Sequence, residues 1–360
     1  MRKRSEKSAQ SKREWVIGAS DRVFVGLDVH KKSYHAAVRV NGQEVATTVL
    51  AANPDDVVRY LEPYRAGVLH VAYEAGPTGY ALVRRLRAAG VAADVIAPNK
   101  TPRAPCDAAK SDRLDCRKLA HDDEKGDLKP VAVPTEQEEA DRQVGRLQEQ
   151  LIRRRRVAKQ HIKSFLLQHG LKEPEGLNHW TRASVAALRE MPLGLELRFC
   201  LDALLEDLRQ ALEFLKEVEK RLRAMARQPR LAARVARVDA HPGVGAQTAM
   251  HFVLELHQPE RFDNGEQVSA YLGLAPRVRS SGQQRKEGPL LKAGRGPLRA
   301  MLVEASWTWI RVDAKARAVF GRLWGNTGCP QKAIVAMARR LAVRLWHLLI
   351  EPAAPTTAPA

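Results

Sequence analysis

The spacing of apolar residues changes character once along this chain. From residue 21 to about 130, short apolar runs alternate with turn signals; from about 136 onward, apolar residues recur every third or fourth position. The first regime predicts an α/β domain and the second predicts long amphipathic helices. Val23 to Val29, VFVGLDV, reads as a short buried strand. Strands over 33–40 and 44–50 follow, with Asn41-Gly42 as the hairpin turn between them. Asn53-Pro54 opens a helix to about Tyr64, and 68–73 is a fourth strand. A helix over 78–89 comes after Gly76-Pro77, and 93–97 is a fifth strand. Three hairpin-linked strands, then two alternating with helices, follow the order of a ribonuclease-H-like fold. Periodicity by itself also fits other mixed α/β layouts.

In the second regime Val144, Leu147, Leu151, Ala158, Ile162 and Phe165 keep helical spacing around the run Arg153 to Arg156. Leu201, Leu204, Leu208, Ala211, Leu215, Val218, Leu222 and Met225 then form a heptad seam that Pro229 is expected to stop. Two such helices predict an arm, either an antiparallel hairpin within the chain or a coiled coil between chains. Either way the region is an arm, and oligomerisation is expected. From about Leu231 the chain is read as helical with glycine-rich interruptions, ending in a helix over 331–350 with Ile334, Met337, Leu341, Leu345 and Leu348 on one face. Five segments result: a basic arm over 1–20, the α/β domain over 21–130, the helical arm over 131–230, a mainly helical domain over 231–350, and a Pro/Ala/Thr tail over 351–360.

Charge narrows the function. The chain carries a formal net charge of +19 over its 360 residues, a surplus that points to a polyanionic partner and first of all to nucleic acid. Cys106, Cys116, Cys200 and Cys329 include no C-x-x-C pair, so a zinc site and a disulfide framework are both disfavoured. No apolar run reaches the length of a membrane span, and a cytoplasmic setting is expected.

The candidate chemistry starts at Asp112 and Asp115, three apart in AKSDRLDCRKLA and therefore on one face of a helix. Asp28 and Glu74 close the first and fourth strands, where side chains reach the carboxyl edge of the sheet. If those strands are neighbours the two acids converge, and the helix closes the site. Clustered carboxylates repel unless a cation neutralises them, and hard oxygen donors select magnesium or manganese. Paired ions of that kind serve to break and join phosphodiesters. Lys110 either offsets charge beside these acids or is a solvated lysine.

Two further elements lie downstream. His241-Pro-Gly-Val-Gly245 resembles the turn of a helix–hairpin–helix, where Gly243 and Gly245 would let the backbone approach phosphate; an ordinary helix–helix turn fits as well. Arg277, Arg279, Arg285, Lys286, Lys292, Arg295 and Arg299 then stand against the single acid Glu287, a loop suited to gripping phosphates. Ser280 and Ser281 lie among them as turn residues or as a nucleophile, and chemistry does not choose between them. Trp307 and Trp309, two apart on a helix, face different ways, which places one of them in the core.

Together GLDVHKKS, YEAGPTGY, APNKT with AKSDRLDCRKLA, HPGVGAQTA, RFDNGEQVSAYLGLAP, SSGQQRKEG and LLKAGRGPLR resemble the DEDD transposases of the insertion-sequence-110 type, the bridge-RNA-guided recombinases. The resemblance spans Val23 to about Trp309. It implies a RuvC-like domain whose Asp28, Glu74, Asp112 and Asp115 hold magnesium, a coiled-coil arm, and a C-terminal transposase domain with a serine nucleophile. The serine before the glycine of the SG pair maps to Ser281. The resemblance also implies a phosphoserine link to double-stranded DNA, help from the metal site of a partner protomer, and a guide RNA that pairs with donor and target. Two other readings of the residues remain: a junction-resolving nuclease without serine chemistry, and a non-catalytic basic nucleic-acid-binding protein.

Overall fold

β1 (Arg22–Val29) lies at the centre of a five-stranded sheet with β2 (Ser33–Val40), β3 (Gln43–Ala51), β4 (Val68–Glu74) and β5 (Ala92–Ile96), in the order β3-β2-β1-β4-β5. β1 pairs antiparallel with β2 and parallel with β4, and β4 pairs parallel with β5. The computed structural model describes residues 15–97, 112–281, 284–291 and 294–351, without the side chains of 112–114, 278–281 and 284–287. It divides into two compact units, Met1–Val133 and Pro134–Ala360.

The strands form where the period-two pattern predicts them, and the pattern also assigns their faces. Val23, Val25 and Leu27 are fully buried and share a core with Leu69, Val71 and Tyr73 of β4 and with α1 (Pro54–Leu61) and α2 (Ala81–Ala88). Each such side chain contributes roughly 1.5–3 kcal/mol of burial. The alternate positions Phe24, Gly26 and Asp28 belong to the opposite face. α3 (Asp112–Lys125) lies across that face, burying Cys116, Leu119 and Ala120. Asn53 caps α1 through its side chain, and Pro54 occupies the first turn, where a missing N–H costs nothing. A single 3₁₀ turn, Glu62–Tyr64, completes the segment that periodicity reads as one helix.

In the second unit α4 (Glu136–Gln168) starts from a capping box made by Thr135 and Glu138. After a short α5 (Arg182–Glu190), α6 (Leu195–Ala226) runs back along α4 in the same chain. Ala158, Ile162 and Leu166 of α4 pack with Leu201, Leu205 and Leu208 of α6, and Arg154 holds Asp207 at 2.6 Å. Pro229 does not stop α6, which ends at Ala226; it opens α7 (Pro229–Asp239) from the N-terminal first turn. α8 (Ala246–Leu256), α9 (Gly265–Tyr271), α10 (Gly296–Val312), α11 (Ala314–Thr327) and α12 (Pro330–Ile350) assemble one core around Leu341, Leu345, Met337 and Phe252.

The stretch read as a helical block with a loop contains a strand pair. β6 (Pro276–Ser281) and β7 (Gln284–Leu290) form an antiparallel hairpin. Only Val278 is apolar in β6, PRVRSS, so the alternation that reveals the first five strands is missing here. Among the described residues no helix is long and apolar enough to cross a membrane.

Candidate catalytic and nucleic-acid sites

Gly26 decides where α3 can lie. A Cβ at this position would stand 2.1 Å from the Cys116 carbonyl oxygen and 2.5 Å from the Ala120 nitrogen. Without it the helix backbone rests directly on β1, which brings the turn holding Asp115 to the strand end holding Asp28. β1 and β4 pair as Gly26 with Ala72 and Leu27 with Tyr73, and Asp28 and Glu74 each follow directly after that last pair. Neighbouring strands are about 4.8 Å apart, and both acids follow the alternation onto the face that α3 covers. Asp28 is hydrogen-bonded to His30 Nε2 at 3.0 Å.

The far half of α3 is tied down on both sides. His70 Nδ1 on β4 is 2.6 Å from Asp123 Oδ2. Arg39 Nε on β2 donates to Glu124 Oε2 at 2.7 Å, and the Gly42 amide donates to Oε1 at 2.6 Å. Burial pushes the Cys116 thiol up to about 11, and the negative charge of Asp28 pushes in the same direction. Of the four acids, Asp28 and Glu74 stand at the ends of adjacent strands, and Asp115 belongs to the helix packed across that face. Asp112 begins that helix with its side chain outside the described residues, and Lys110 lies outside them altogether. Among the described residues no three His, Cys, Asp or Glu side chains are grouped to hold a metal ion.

In the second unit the turn His241 to Gly245 is pressed against α10. Gly243 has φ +85°, and a Cβ there would meet the Trp309 nitrogen at 2.5 Å and the Ala305 carbonyl at 2.8 Å. His241 packs edge-on to the Trp309 ring, and the Arg344 guanidinium lies over that ring at 5.1 Å. Trp309 is 4% exposed and Trp307 37%, the division expected from their spacing. Gly245 is the N-cap of α8, provides no side-chain cap, and has open space around the position of a Cβ.

The hairpin brings cationic positions into register. Arg279 pairs with Lys286, Ser280 with Arg285 and Ser281 with Gln284, so Ser281 forms the last pair before the turn. Like charges at directly paired positions cost stability unless an anion lies between them. Arg277 is exposed at the start of β6; Lys292 lies outside the described residues. Arg295 is placed differently: its guanidinium pairs with Glu149 of α4 and lies 3.6 Å from Glu255 of α8.

That last cluster was not read from the sequence. Glu149, Glu255, Arg142 and His251 are all nearly buried, with Tyr271 and Gln148 as hydrogen-bond partners. One signal existed for it: His251 and Glu255 stand four apart inside the otherwise apolar run of α8, and polar groups there need buried partners.

An acid-bearing five-stranded α/β sheet followed by a mainly helical unit is consistent with a DEDD transposase. A DEDD transposase domain of the IS110 type matches residues 25–170, and the family described as "Transposase IS116/IS110/IS902 family" matches residues 235–320. The y4qE protein of Sinorhizobium fredii, a transposase by its name, is 32% identical over 291 residues, covering 79% of this chain and 71% of that protein. The transposase for insertion sequence element IS1533 of Leptospira borgpetersenii is 26% identical, with 90% of this chain and 94% of that protein covered. The transposase for IS1111A of Coxiella burnetii is 26% identical over 67% of this chain and 66% of that protein. The chain belongs to the IS110 family of insertion-sequence transposases. DNA cleavage and strand transfer are the activities this membership implies.

Proposed function

We propose that this transposase moves its element by a serine-linked recombination, with a divalent-metal site formed by Asp28, Glu74, Asp112 and Asp115 and with Ser281 as the nucleophile. The observation that carries the reading is that Asp28 and Glu74 directly follow the paired residues Leu27 and Tyr73 on neighbouring strands, with a helix bearing Asp115 packed over the same face. These acids are hard oxygen donors, and they suit Mg²⁺ or Mn²⁺. When bound, the ion would neutralise the acids and stabilise charge on a phosphate oxygen.

Ser281 ends β6 at the last hairpin pair, beside the paired cations Arg279 and Lys286. Its hydroxyl oxygen attacks a DNA phosphorus, forming the Oγ–P bond and breaking one P–O bond to sugar, whose oxygen leaves with a proton. A hydroxyl of the partner strand then attacks the same phosphorus and releases serine. The number of phosphodiester bonds is conserved, so no energy source is needed. Arg277, Arg279, Arg285 and Lys286 hold the backbone, the open position at Gly245 admits a second stretch of it while Gly243 seats the turn on α10, and Lys110 and Lys292 add charge. Sequence choice comes from a guide RNA that pairs with both DNAs, which leaves the protein to grip backbone.

A homo-oligomer joins through the arm. Leu167, Leu195 and Phe199, 83%, 81% and 74% exposed, support this, since they lie at the end of the α4–α6 pair away from the helical core. Incubation with cleavable DNA and magnesium should yield a denaturant-resistant adduct that Ser281→Ala abolishes. An adduct or strand exchange surviving in Ser281→Ala refutes the serine step and favours a nuclease without it. Unchanged strand breakage in both Asp28→Ala and Glu74→Ala refutes the metal site.

A further inference from the structure

Both legs of the β6–β7 hairpin converge on one buried carboxylate. Tyr271, in the last turn of α9 just before β6, has its hydroxyl 3.2 Å from Glu255 Oε1 and 3.3 Å from the Glu255 carbonyl oxygen. Arg295, just beyond β7, has Nε 3.6 Å from Glu255 Oε2 while its other nitrogen donates to Glu149. Arg142 donates to Glu255 Oε1 at 3.2 Å. Arg142 and Glu149 both belong to α4, so the carboxylate joins the hairpin stem to the long helix.

The stem is closed on itself as well. Leu291 N donates to the Ala275 carbonyl at 3.0 Å. A Cβ at Gly294 would stand 2.3 Å from the Tyr271 oxygen, so the returning chain lies directly on the outgoing one. Beyond this stem the hairpin is an isolated two-stranded ribbon with one apolar residue in β6. Such a ribbon has little stability of its own, and its bearing is set by whatever holds its base. The base is ionic and withdrawn from water: the side chains of Glu149, Glu255 and Arg142 are each 11% exposed. Charges so placed are costly to leave unpaired, which makes the arrangement all-or-none.

We propose that Glu255 is a positioning residue that clamps both legs of the hairpin and, through Arg142, Arg295 and Glu149, fixes the bearing of the Ser281 strand relative to α4. Arg295 then acts as part of the clamp, its charge engaged by two carboxylates, and the phosphate grip falls to the hairpin cations. The catalytic meaning of the clamp rests on the serine reading given above; the clamp itself does not.

Hydrogen exchange over 276–291 in the full chain tests the clamp directly. Glu255→Gln, which keeps an acceptor for Tyr271 and drops the charge, and Arg295→Gln should each speed hairpin exchange by roughly tenfold or more. Exchange in the five-stranded sheet should stay unchanged, and Arg295→Lys should recover part of the protection. With DNA, Glu255→Gln should slow adduct formation about tenfold while affinity for the same duplex stays within about threefold. Hairpin exchange within twofold of the parent in both Glu255→Gln and Arg295→Gln overturns the proposal. If loss of the charge unfolds the second unit, Tyr271→Phe removes one leg without a charge change, and its hairpin exchange decides. Should the parent form no adduct at all, the serine reading fails while the exchange comparison still judges the clamp.

Discussion

His70 Nδ1 and Asp123 Oδ2 stand 2.6 Å apart and fasten the second half of α3 to β4. Asp94 approaches the other ring nitrogen at 3.4 Å, with Arg87 bound to the same carboxylate. The hydrogen bond to Asp123 raises the His70 pKa most; burial opposes it, and the charges of Asp123 and Asp94 add to the rise. A histidine whose folded value exceeds its unfolded one stabilises fully below the unfolded value, about 6.5, and the contribution fades as pH rises through the folded value. His70→Gln should therefore cost about 1–2 kcal/mol near pH 6 and less near pH 9, read from urea unfolding at both. Equal losses at the two pH values would remove the charged pair from the account.

Gly26→Ala tests the seat of α3. The new methyl meets helix backbone, which cannot rotate away, so the helix must lift at a cost of roughly 3 kcal/mol. Calorimetric titration with Mn²⁺ should show weaker binding in the variant alongside its lower denaturation midpoint. Parent-like values for both would mean that α3 is not held at β1 by this glycine.

The two glycines of the helical turn separate folding from binding. Gly243→Ala combines a positive φ with a clash against the Trp309 backbone and should destabilise by about 1–3 kcal/mol. Gly245→Ala fills open space at φ −106° and should change stability by less than about 0.5 kcal/mol. A DNA affinity lowered in Gly245→Ala at unchanged stability marks close approach of phosphate. Unchanged affinity assigns the turn to helix packing alone.

Acid should weaken the second unit. Burial drives His251 and His257 down to about 4, helped by Arg295 at the first and by Arg261 and Arg142 at the second. With unfolded values near 6.5, the unfolded chain binds more protons between pH 6.5 and 4, so stability falls across that window as pH falls. The loss amounts to roughly 3 kcal/mol per histidine. Glu149, raised by burial despite Arg295, offsets part of it because the folded state then takes up a proton more readily. His251→Gln should flatten the fall between pH 6.5 and 4.5 in denaturant titrations; an unaltered slope would show that His251 is not held neutral.

Salt should resolve the hairpin cations. If Arg279 and Lys286 each neutralise a phosphate, Arg279→Ala and Lys286→Ala should each lower the slope of log affinity against log salt by about one, with little change of sequence preference. Slopes equal to the parent would place DNA elsewhere.

The first five strands were legible because each has one face in a shared core, so apolar residues fall at alternate positions such as Val23, Val25 and Leu27. The placement of Asp28 and Glu74 near the ends of neighbouring strands was legible for a related reason: each acid interrupts an apolar run where its strand closes. β6 and β7 were not, since their sequences carry no apolar alternation and PRVRSS offers only Val278. Nor was the clamp visible in α4, where Arg142 and Glu149 look like a solvated helix face until Glu255 and Arg295 arrive from far along the chain. Gly26 was readable as a strand glycine, but its purpose appears only with α3 lying on it.

Cys116 has a use that its burial creates. It sits next to Asp115, 1% exposed, with its thiol held well above neutral pH, while Cys200 is exposed on α6. A maleimide reagent therefore meets a protonated, covered sulfur as long as α3 stays on the sheet, and a reactive one whenever the helix lifts. In a protein with Cys106, Cys200 and Cys329 replaced by serine, the labelling rate at this thiol becomes a clock for the opening of the helix, ticking at the position next to Asp115.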